Sequence, residues 1–432
     1  MSGSGLGASR GRIDHIQSVV HGESPLLTIV IPAFNEEDSI ASTVQRCLEA
    51  RERIRRVGDV RDIEVIVVSD GSTDRTADIA QEIARREASV RVIVFETNRG
   101  YGAAIKEGFQ RSSGELVSFL DADGTCDPNY FGELCSALQS EHAAVVLGSR
   151  MRPGNRMPRV RRLGNRLYAL LLGSLSGHAV TDTASGMRVL RRDALLELYP
   201  LPDGLHFTPA MSARAVMSDM RILEVPMSYS ERVGTSKLRV MRDGVRFLYA
   251  IRDAALLYRP SRLFGLAATL AVIGTLFWGS YPAEFYLVNG RLEDWMLYRL
   301  LVCGLLIMFA FTLATGAVLA DRLLALVYRR RHQTFFSELM DGLLTPLRLW
   351  VAAGVFAAIA VLLVWPGLVE YGRTGHLTLH WSRPVTAVFL LQLALVSIVN
   401  AVLQKIIALW QGQLTRANAG PGLDADVGGT DA

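Results

Sequence analysis

Two aspartates separated by a single residue, Asp121 and Asp123, are the residues of this 432-residue chain that most directly suggest chemistry. They follow a short apolar run at residues 116–120, and Ala122 stands between them. Two carboxylates this close repel each other unless a cation joins them. Carboxylate oxygens are ligands that Mg²⁺ and Mn²⁺ accept, and either ion can also bind a diphosphate. The pair therefore predicts a divalent-metal site, with a helix-capping turn ahead of Pro128 as the alternative interpretation.

Two further polar segments also come directly after apolar runs. The segment P-A-F-N-E-E follows residues 27–31, and D-G-S-T-D, which begins with Asp70, follows residues 64–69. Asp70 is placed to accept hydrogen bonds from a ligand. A third segment, N-R-G-Y-G at 98–102, lacks the last glycine of the dinucleotide-binding fingerprint, because that position is Ile105. It predicts instead a turn that lets the following helix pack closely.

The elements that position these segments alternate between two patterns. Short apolar, β-branched runs lie at residues 27–31, 64–69, 90–95, 116–120 and 143–147. Helical patterns lie between them at 39–56, 74–86, 103–112 and 130–140. This alternation predicts an α/β fold with a mostly parallel sheet flanked by helices. Ligands of such sheets bind beyond the carboxyl ends of the strands, so the polar segments should share one site.

The second half of the chain contains four segments without a charged residue. Each is 21 residues long, and they lie at 263–283, 300–320, 349–369 and 384–404. About 20 apolar residues in a helix cross a hydrocarbon core of roughly 30 Å, so the pattern predicts four transmembrane helices. The absence of charge within them argues against an ion or proton pathway. Residues 239–260 alternate basic with apolar residues, which predicts an amphipathic helix on the membrane surface, with an ordinary soluble helix as the alternative.

Basic residues in the loops predict the orientation of these helices. The loop between the second and third segments holds Arg322, Arg329, Arg330, Arg331 and Arg348, whereas each loop on the other side holds two arginines. This bias predicts that the N-terminal domain and both termini are cytoplasmic. The residues before position 13 have no apolar core, so no signal peptide is predicted. The predicted organisation is a loose tail at 1–25, a cytoplasmic domain at 26–238, the interfacial helix at 239–260, a membrane domain at 261–411 and a second tail at 412–432.

The composition argues against several other classes of protein. Half of the residues are apolar, which excludes a disordered chain. The formal net charge of +4 comes from 46 basic and 42 acidic residues and does not suggest a nucleic-acid partner. The four cysteines are scattered and form no C-x-x-C pair, so neither a zinc site nor a disulfide framework is predicted.

Six motifs occur in the order and spacing of one known family. They are P-A-F-N-E-E, S-D-G-S-T-D, D-A-D-G, G-S-R, T-A-S-G-M-R-V-L and R-V-G-T-S-K-L. Over residues 28–238 the chain resembles family 2 glycosyltransferases, which have the nucleotide-sugar-binding GT-A fold. It is most similar to the polyprenyl- and dolichyl-phosphate sugar synthases, including bacterial members with a C-terminal membrane part. The chain departs from many relatives at Ser69, where they have a second Asp, and at 206–211, which lacks their acidic residue.

The resemblance implies a role for each matched residue. The nucleobase and ribose would be held by Pro32, Phe34, Glu36, Val68 and Asp70. The diphosphate would lie at Asp121, Ala122 and Asp123, with Asp123 as the principal ligand of Mg²⁺ or Mn²⁺ and Asp121 as a second ligand. Arg150 would contact the nucleotide, and Arg232 and Lys237 would close over the phosphates.

The acceptor is predicted to be a lipid phosphate. A hydroxyl acceptor needs a general base, whereas a phosphate monoester is already ionised at pH 7 and needs only cations. The stretch 150–166 contains seven arginines and predicts a membrane-facing loop that receives the lipid phosphate. Arg159 is predicted to be one of the residues that bind this phosphate. The alternative is a loop that binds only acidic membrane lipids. The segment T-D-T-A-S-G-M-R, which includes Asp182 and Ser185, resembles the family's acceptor-side turn.

The predicted reaction is one displacement that inverts the anomeric carbon. It transfers a hexose from UDP-hexose or GDP-hexose to a polyprenyl phosphate, for cell-envelope glycan synthesis. The sequence is also compatible with a protein that forms a homo-oligomer. The alternatives are transfer to a hydroxyl group, for which Asp182 could be the base, and a non-catalytic membrane scaffold of the same fold. A processive polysaccharide synthase is not favoured, because the chain has no Q-x-x-R-W motif.

Overall fold

The computed structural model describes residues 24–151, 155, 157–177, 180–230, 240–328 and 335–419. The chain divides into two compact units, residues 1–254 and 255–432. The division falls inside the segment 239–260 that the sequence predicts to lie on the membrane surface. Arg232 and Lys237, the residues predicted to close over the phosphates, lie outside the described residues.

The first unit is built on a seven-stranded sheet. The strands are β1 Leu26–Ala33, β2 Asp62–Asp70, β3 Val90–Phe95, β4 Leu116–Leu120, β5 Val145–Ser149, β6 Met187–Arg191 and β7 Ile222–Pro226. Their order across the sheet is β3-β2-β1-β4-β6-β5-β7. Neighbouring strands are parallel except at β6, which is antiparallel to β4 and β5. The predicted mostly parallel sheet and its five predicted strands are confirmed.

The strands β6 and β7 have no counterpart in the sequence prediction. The sequence of β6 is M-R-V-L-R, and Arg188 interrupts its apolar pattern. The structure buries Arg188 completely. Its guanidinium group donates to the carbonyl oxygens of Ser185 at 3.1 Å and Thr183 at 2.9 Å, while burial lowers the pKa of Arg188 to about 10. These carbonyl oxygens allow a charged residue to occupy an interior strand.

Helices cover both faces of the sheet. They are α1 Ile40–Gly58, α2 Thr76–Arg86, α3 Tyr101–Arg111, α4 Phe131–Ser140, α5 Arg159–Ser176, α6 Arg192–Leu198 and α7 Phe207–Met217. Side chains alternate along β1, so that Ile29 and Ile31 pack with α1 and α4, whereas Val30 packs on the other face with α3 and α7. Burial on both faces explains why β1 is a continuous apolar run in the sequence.

The basic stretch at 150–166 continues into a helix. α5 begins at Arg159, directly after Pro158 at the N-cap position. The prediction of a loop is therefore wrong from Arg159 onward. Apolar residues at 160, 163, 167 and 170 recur with helical spacing, and the arginines between them concealed this pattern.

The second unit contains four long apolar helices. α8, Val240–Tyr258, crosses the division between the units and coincides with the predicted interfacial helix. It is followed by α9 Pro260–Asn289, α10 Leu297–Tyr328, the short α11 Phe335–Leu343, α12 Pro346–Thr374 and α13 Ser382–Ala419. The mean hydropathy of the candidate spans in the four long helices ranges from 1.7 to 2.4. Each contains one charge-free segment, so all four are long and apolar enough to cross a membrane, as predicted.

Candidate active site

A cavity of about 510 Å³ lies at the carboxyl ends of β1, β2 and β4 in the first unit. Eight of the predicted site residues line it: Pro32, Phe34, Glu36, Asp70, Asp121, Ala122, Asp123 and Arg150. Parallel strands end at the same edge of a sheet, which is why segments far apart in the chain meet here. The structure thus brings the three polar strand ends together, as the sequence predicts.

The loops after β1 and β2 hold each other through side-chain hydrogen bonds. Asn35 Oδ1 accepts from the backbone N–H of Thr73 at 2.8 Å, and the N–H of Asn35 donates to Ser72 Oγ at 3.2 Å. The N–H of Glu36 donates to Thr76 Oγ1 at 2.8 Å. Asn35 has a φ of 51°, a conformation that asparagine tolerates better than most residues. The two motifs are therefore joined beside the cavity, which Phe34, Glu36 and Asp70 line.

Asp70 anchors the turn that leads into α3. It is almost fully buried, and its carboxylate accepts from the backbone N–H of Arg99 at 2.6 Å and of Gly100 at 2.9 Å. Gly100 has a φ of 105°, and a Cβ at this position would lie 2.5 Å from the carbonyl oxygen of Asp203. Only glycine fits this turn. The N-R-G-Y-G segment is thus the close-packing turn that the sequence predicts, and it places Tyr101 in the cavity wall.

The two aspartates of the D-A-D-G motif are each oriented by a hydroxyl group. Tyr101 O–H donates to Asp121 Oδ1 at 2.7 Å, and Thr125 Oγ1 donates to Asp123 Oδ1 at 2.7 Å. Gly186 packs against the first carboxylate, because a Cβ there would lie 2.0 Å from Asp121 Oδ2. Oriented carboxylates on a cavity wall fit Mg²⁺ or Mn²⁺. In the part of the chain that the structure describes, no group of three or more His, Cys, Asp or Glu residues could hold a metal ion. Asp121 and Asp123 would therefore share a bound ion with oxygen atoms of the ligand.

The hydroxyl group of Tyr101 is expected to support metal binding. Desolvation and the nearby Asp121 carboxylate raise the pKa of Tyr101 well above its ordinary value, so the hydroxyl group remains a donor at neutral pH. We expect Tyr101→Phe to weaken Mn²⁺ binding by about ten-fold or more, as is usual when a group that orients a metal ligand is removed. Calorimetric titration with Mn²⁺ in the presence of a nucleoside diphosphate measures this without turnover. The control is Tyr199→Phe, because Tyr199 does not line the cavity. Equal affinity of the two variants for Mn²⁺ would contradict the role of Tyr101.

Arg150 is held in the cavity wall by a buried carboxylate. Its Nε and Nη2 donate to the two oxygens of Asp182, each at 2.8 Å, and its backbone N–H donates to the same carboxylate at 2.9 Å. Asn165 Nδ2 donates to Asp182 Oδ1 at 3.1 Å. The Arg150 guanidinium group also lies 5.6 Å from the centroid of the Tyr229 ring. The resulting network fixes one positive charge at the end of β5.

The structure places Asp182 behind Arg150, away from the cavity wall. Burial alone would raise the pKa of Asp182, but the charge and hydrogen bonds of Arg150 outweigh burial and hold the pKa below its ordinary value. The carboxylate is completely buried and does not line the cavity. Asp182 therefore positions Arg150, and the predictions that it contacts substrate or acts as a base for a hydroxyl acceptor do not agree with this placement.

Three other predicted substrate-binding residues also lie away from the cavity wall. The side chain of Val68 is buried in the sheet core beside Ile66. Ser185 is buried as well, and its Oγ donates to the carbonyl oxygen of Gly148 at 2.6 Å. Arg159 is the exposed first residue of α5. The side chains of Val68 and Ser185 thus point into the domain, where one is packed and the other is hydrogen-bonded.

One side of the cavity was not foreseen from the sequence. Tyr168 of α5 donates its O–H to the carbonyl oxygen of Gly244 at 2.6 Å, and its ring packs edge-on against Phe247 with centroids 5.6 Å apart. Gly244 and Phe247 belong to α8. Both α5 and α8 contribute residues to the cavity lining, among them Arg161 on α5. The G-Y-G motif could have indicated Tyr101, but no local pattern indicates that α8 packs on α5.

Comparison with known proteins places the chain in a family. The sequence profile of Glycosyl transferase family 2 matches residues 28–199, which contain the eight predicted residues that line the cavity. A dolichyl-phosphate hexose transferase of Haloferax volcanii is 32% identical over 219 residues, which are 50% of this chain and 89% of that protein. The low-salt glycan biosynthesis hexosyltransferase Agl6 of the same organism is 33% identical over 260 residues, 59% of each chain.

A third similar protein is the dolichyl-phosphate β-glucosyltransferase ALG5C of Trichomonas vaginalis. It is 32% identical over 225 residues, which cover 49% of this chain and 66% of that protein. The chain thus spans about three-fifths of the length of Agl6 and two-thirds of that of ALG5C. The residues matched by the family profile include β2 to β6, most of β1 and the D-A-D-G motif. On these grounds, and because the similar dolichyl-phosphate hexose transferase is covered almost completely, the chain belongs to glycosyl transferase family 2.

Proposed function

We propose that this protein is an integral membrane enzyme that transfers a hexose from UDP-hexose or GDP-hexose to a polyprenyl phosphate, using Mg²⁺ or Mn²⁺. The observation that carries the proposal is the cavity at the carboxyl edge of the sheet, where the carboxylates of Asp121 and Asp123 lie together with Arg150. Two of the similar proteins are named for transfer to dolichyl phosphate, which supports this class of acceptor.

The reaction is a single displacement. An oxygen of the acceptor phosphate forms a bond to the anomeric carbon while the bond from that carbon to the diphosphate oxygen breaks. The nucleoside diphosphate leaves with the electron pair, and attack on the opposite face inverts the configuration. Asp121 and Asp123 would hold a divalent ion, which when bound offsets the charge of the leaving diphosphate. Arg150 adds a fixed positive charge to the same wall, and Arg232 and Lys237 stay predicted to close over the phosphates.

The carboxylates that line the cavity favour a phosphate acceptor over a hydroxyl acceptor. A hydroxyl acceptor needs a general base. Among the described lining residues, Asp70 holds the turn before α3, and Glu36 accepts a hydrogen bond from Ser39 Oγ at 3.1 Å. The D-A-D-G pair is assigned to the metal, and Asp182 is buried against Arg150. An ionised lipid phosphate needs no base and is matched by cations.

Exposed apolar side chains form a stripe along α5. The members of this α5 stripe are Val160, Leu163, Leu167, Leu170 and Leu171, with exposed fractions of 37% to 71%. The arginines around it are Arg159, Arg161, Arg162 and Arg166. An apolar stripe bordered by cations is typical of a helix that lies in the membrane interface. Val160 belongs to the stripe and also lines the cavity, so α5 would place the bilayer surface beside the entry of a lipid phosphate.

The α5 stripe can be tested by making it polar. We expect Leu163→Gln combined with Leu167→Gln to raise the KM for polyprenyl phosphate by about ten-fold, because apolar contact with the bilayer is lost, with little change in kcat. Arg159→Ala should change KM in the same direction. Steady-state kinetics with enzyme in lipid nanodiscs and varied acceptor measure the effect. Leu196→Gln changes an equally exposed leucine of α6 and should leave KM unchanged. An unaltered KM in the double variant would contradict the membrane role of the stripe.

The catalytic domain is expected to face the cytoplasm, where nucleotide sugars are made. The arginine-rich segment between α10 and α12 supports this orientation. Tags inserted at Asn289 and His376 should react with an impermeant label added outside intact cells. A tag at Gln333 should react only after the membrane is opened. The reversed labelling pattern would overturn the orientation.

The proposed reaction is tested with the purified full chain, a panel of nucleotide sugars and a short polyprenyl phosphate. Mass spectrometry should detect one hexose joined to the lipid phosphate, and NMR should give the anomer opposite to that of the donor. Transfer to a hydroxyl-bearing lipid or glycan in preference to the phosphate would favour the second reaction class. Neither transfer nor donor hydrolysis with any nucleotide sugar would favour the scaffold hypothesis.

A further inference from the structure

A second cavity lies within the second unit, between α10 and α13. Its volume is about 230 Å³, and it is lined by Arg322, Ala325, Gln404, Ile407, Ala408 and Gln411. Arg322 and Ala325 belong to α10, and the other four residues belong to α13. This α10–α13 cavity shares no lining residue with the carboxylate-lined cavity of the first unit. It has no part in the proposed sugar transfer.

Gln404 gives the α10–α13 cavity an unmet hydrogen-bonding requirement. Its side chain is fully buried, and its Nε2 donates to the carbonyl oxygen of Leu344 at 3.1 Å. Its Oε1 accepts no hydrogen bond from any residue that the structure describes. A buried amide oxygen without a donor is unfavourable, most of all among apolar helices. The cavity therefore suits an occupant that donates a hydrogen bond to Gln404.

Arg322 contributes hydrogen-bond donors to the same cavity. Its guanidinium group lies in the cavity wall and is 3.4 Å from Asp341 Oδ1, which restricts its position. A guanidinium group binds phosphate through several parallel donors. A phosphate group would bind at Arg322 beside Asp341, but an ionised diester has only acceptors and would leave Gln404 Oε1 without a donor. The occupant should therefore carry a phosphate and a donor side by side.

The cavity lies at the depth expected for lipid head groups. Arg322 follows the charge-free segment 300–320 by two positions, and Gln404 is the last residue of the segment 384–404. Both therefore fall at the same end of the predicted spans, where hydrocarbon gives way to the polar interface. Leu344, the hydrogen-bond partner of Gln404, lies two positions before the first residue of α12, at that end as well.

We infer that the α10–α13 cavity binds the head group of a glycerophospholipid that carries a hydroxyl or ammonium donor next to its phosphate. The phosphate would lie at Arg322, and the hydroxyl or ammonium group would donate to Gln404 Oε1. Phosphatidylglycerol and phosphatidylethanolamine have this chemistry. Phosphatidylcholine has the phosphate without the donor, and inorganic phosphate lacks the acyl chains. The inference depends on the membrane location of the second unit but not on sugar transfer.

The test is lipid retention by the full chain, measured by native mass spectrometry after exchange into detergent with equal amounts of the three lipids. Wild type should retain one phosphatidylglycerol or phosphatidylethanolamine about five-fold more than phosphatidylcholine, the effect expected of one hydrogen bond. Gln404→Leu should remove this preference, and Arg322→Gln should reduce retention of all three. Gln413→Leu, at an exposed glutamine of the same helix, should behave like wild type.

Several outcomes would overturn the inference. Equal retention of the three lipids by wild type, or an unchanged preference in Gln404→Leu, would show that Gln404 does not select the head group. Retention of no lipid would leave the cavity to water, and complete displacement by inorganic phosphate would assign it to a free anion. Arg322→Gln supplies a second, independent variant if Gln404→Leu fails to fold. Unchanged retention in Arg322→Gln would equally contradict the phosphate position.

Discussion

Asp123→Asn is expected to lower turnover by about a thousandfold, the size of effect seen when one group that stabilises transition-state charge is removed. The substitution removes a ligand charge but keeps Oδ1, which accepts hydrogen bonds from the N–H and the Oγ1 of Thr125. Asparagine can keep both bonds, so the fold should be preserved. Turnover is measured with saturating donor and lipid phosphate while Mg²⁺ or Mn²⁺ is varied.

The matched control for this prediction is Asp78→Asn. Asp78 is an exposed aspartate in the first turn of α2, and the same chemical change there should leave turnover unchanged. Circular dichroism of both variants would verify that the fold is intact. Full activity of Asp123→Asn, or full activity of wild type in excess chelator, would refute the assignment of the metal to the D-A-D-G motif.

Asp182→Asn is expected to destabilise the first unit by about 3–5 kcal/mol, because it leaves the Arg150 guanidinium group buried without a counter-charge. The Asp182 carboxylate is completely buried, and the Arg150 side chain is 13% exposed. Hydrogen–deuterium exchange of β5 and β6 amides in the full chain reports this loss locally, which avoids treating a two-unit protein as a two-state system. Turnover should fall as well, since Arg150 would lose its fixed position in the cavity wall.

The stabilisation of the first unit by the Arg150–Asp182 pair should decrease only at acidic pH. The folded-state pKa of Asp182 lies below its ordinary value of 3.8. The stabilisation by the carboxylate is therefore fully present above the unfolded-state pKa and is lost as pH falls through the folded-state pKa. The difference in protection between wild type and Asp182→Asn should be constant near neutral pH and should shrink only below about pH 4.

A surface ion pair of the same residue types provides the control for Asp182. Asp193 pairs with Arg191 at 3.2 Å, and the Asp193 side chain is 71% exposed. Asp193→Asn should change stability by less than about 1 kcal/mol, because water screens exposed pairs. Equal effects of the two substitutions would mean that burial does not strengthen the Arg150–Asp182 pair.

The sequence by itself determined five of the seven strands, the four long apolar helices and the edge of the sheet at which the cavity lies. Residues 27–31 and 116–120 are β-branched runs between helical patterns, and four charge-free segments have the length of a bilayer. These are local regularities that follow from the period of each element and from burial. Because parallel strands end at one edge, the meeting of Asp70 with the D-A-D-G motif also followed from the sequence.

The tertiary structure alone decided which partner each polar group has. Asp182 and Ser185 have residue types that suit a substrate, yet one holds Arg150 and the other binds the carbonyl oxygen of Gly148. The antiparallel β6, with Arg188 buried inside it, and the packing of α8 on α5 were likewise absent from any local pattern. These features depend on contacts between residues distant in the chain, whose free energy comes from desolvation and from hydrogen bonds that form only when the whole domain has packed.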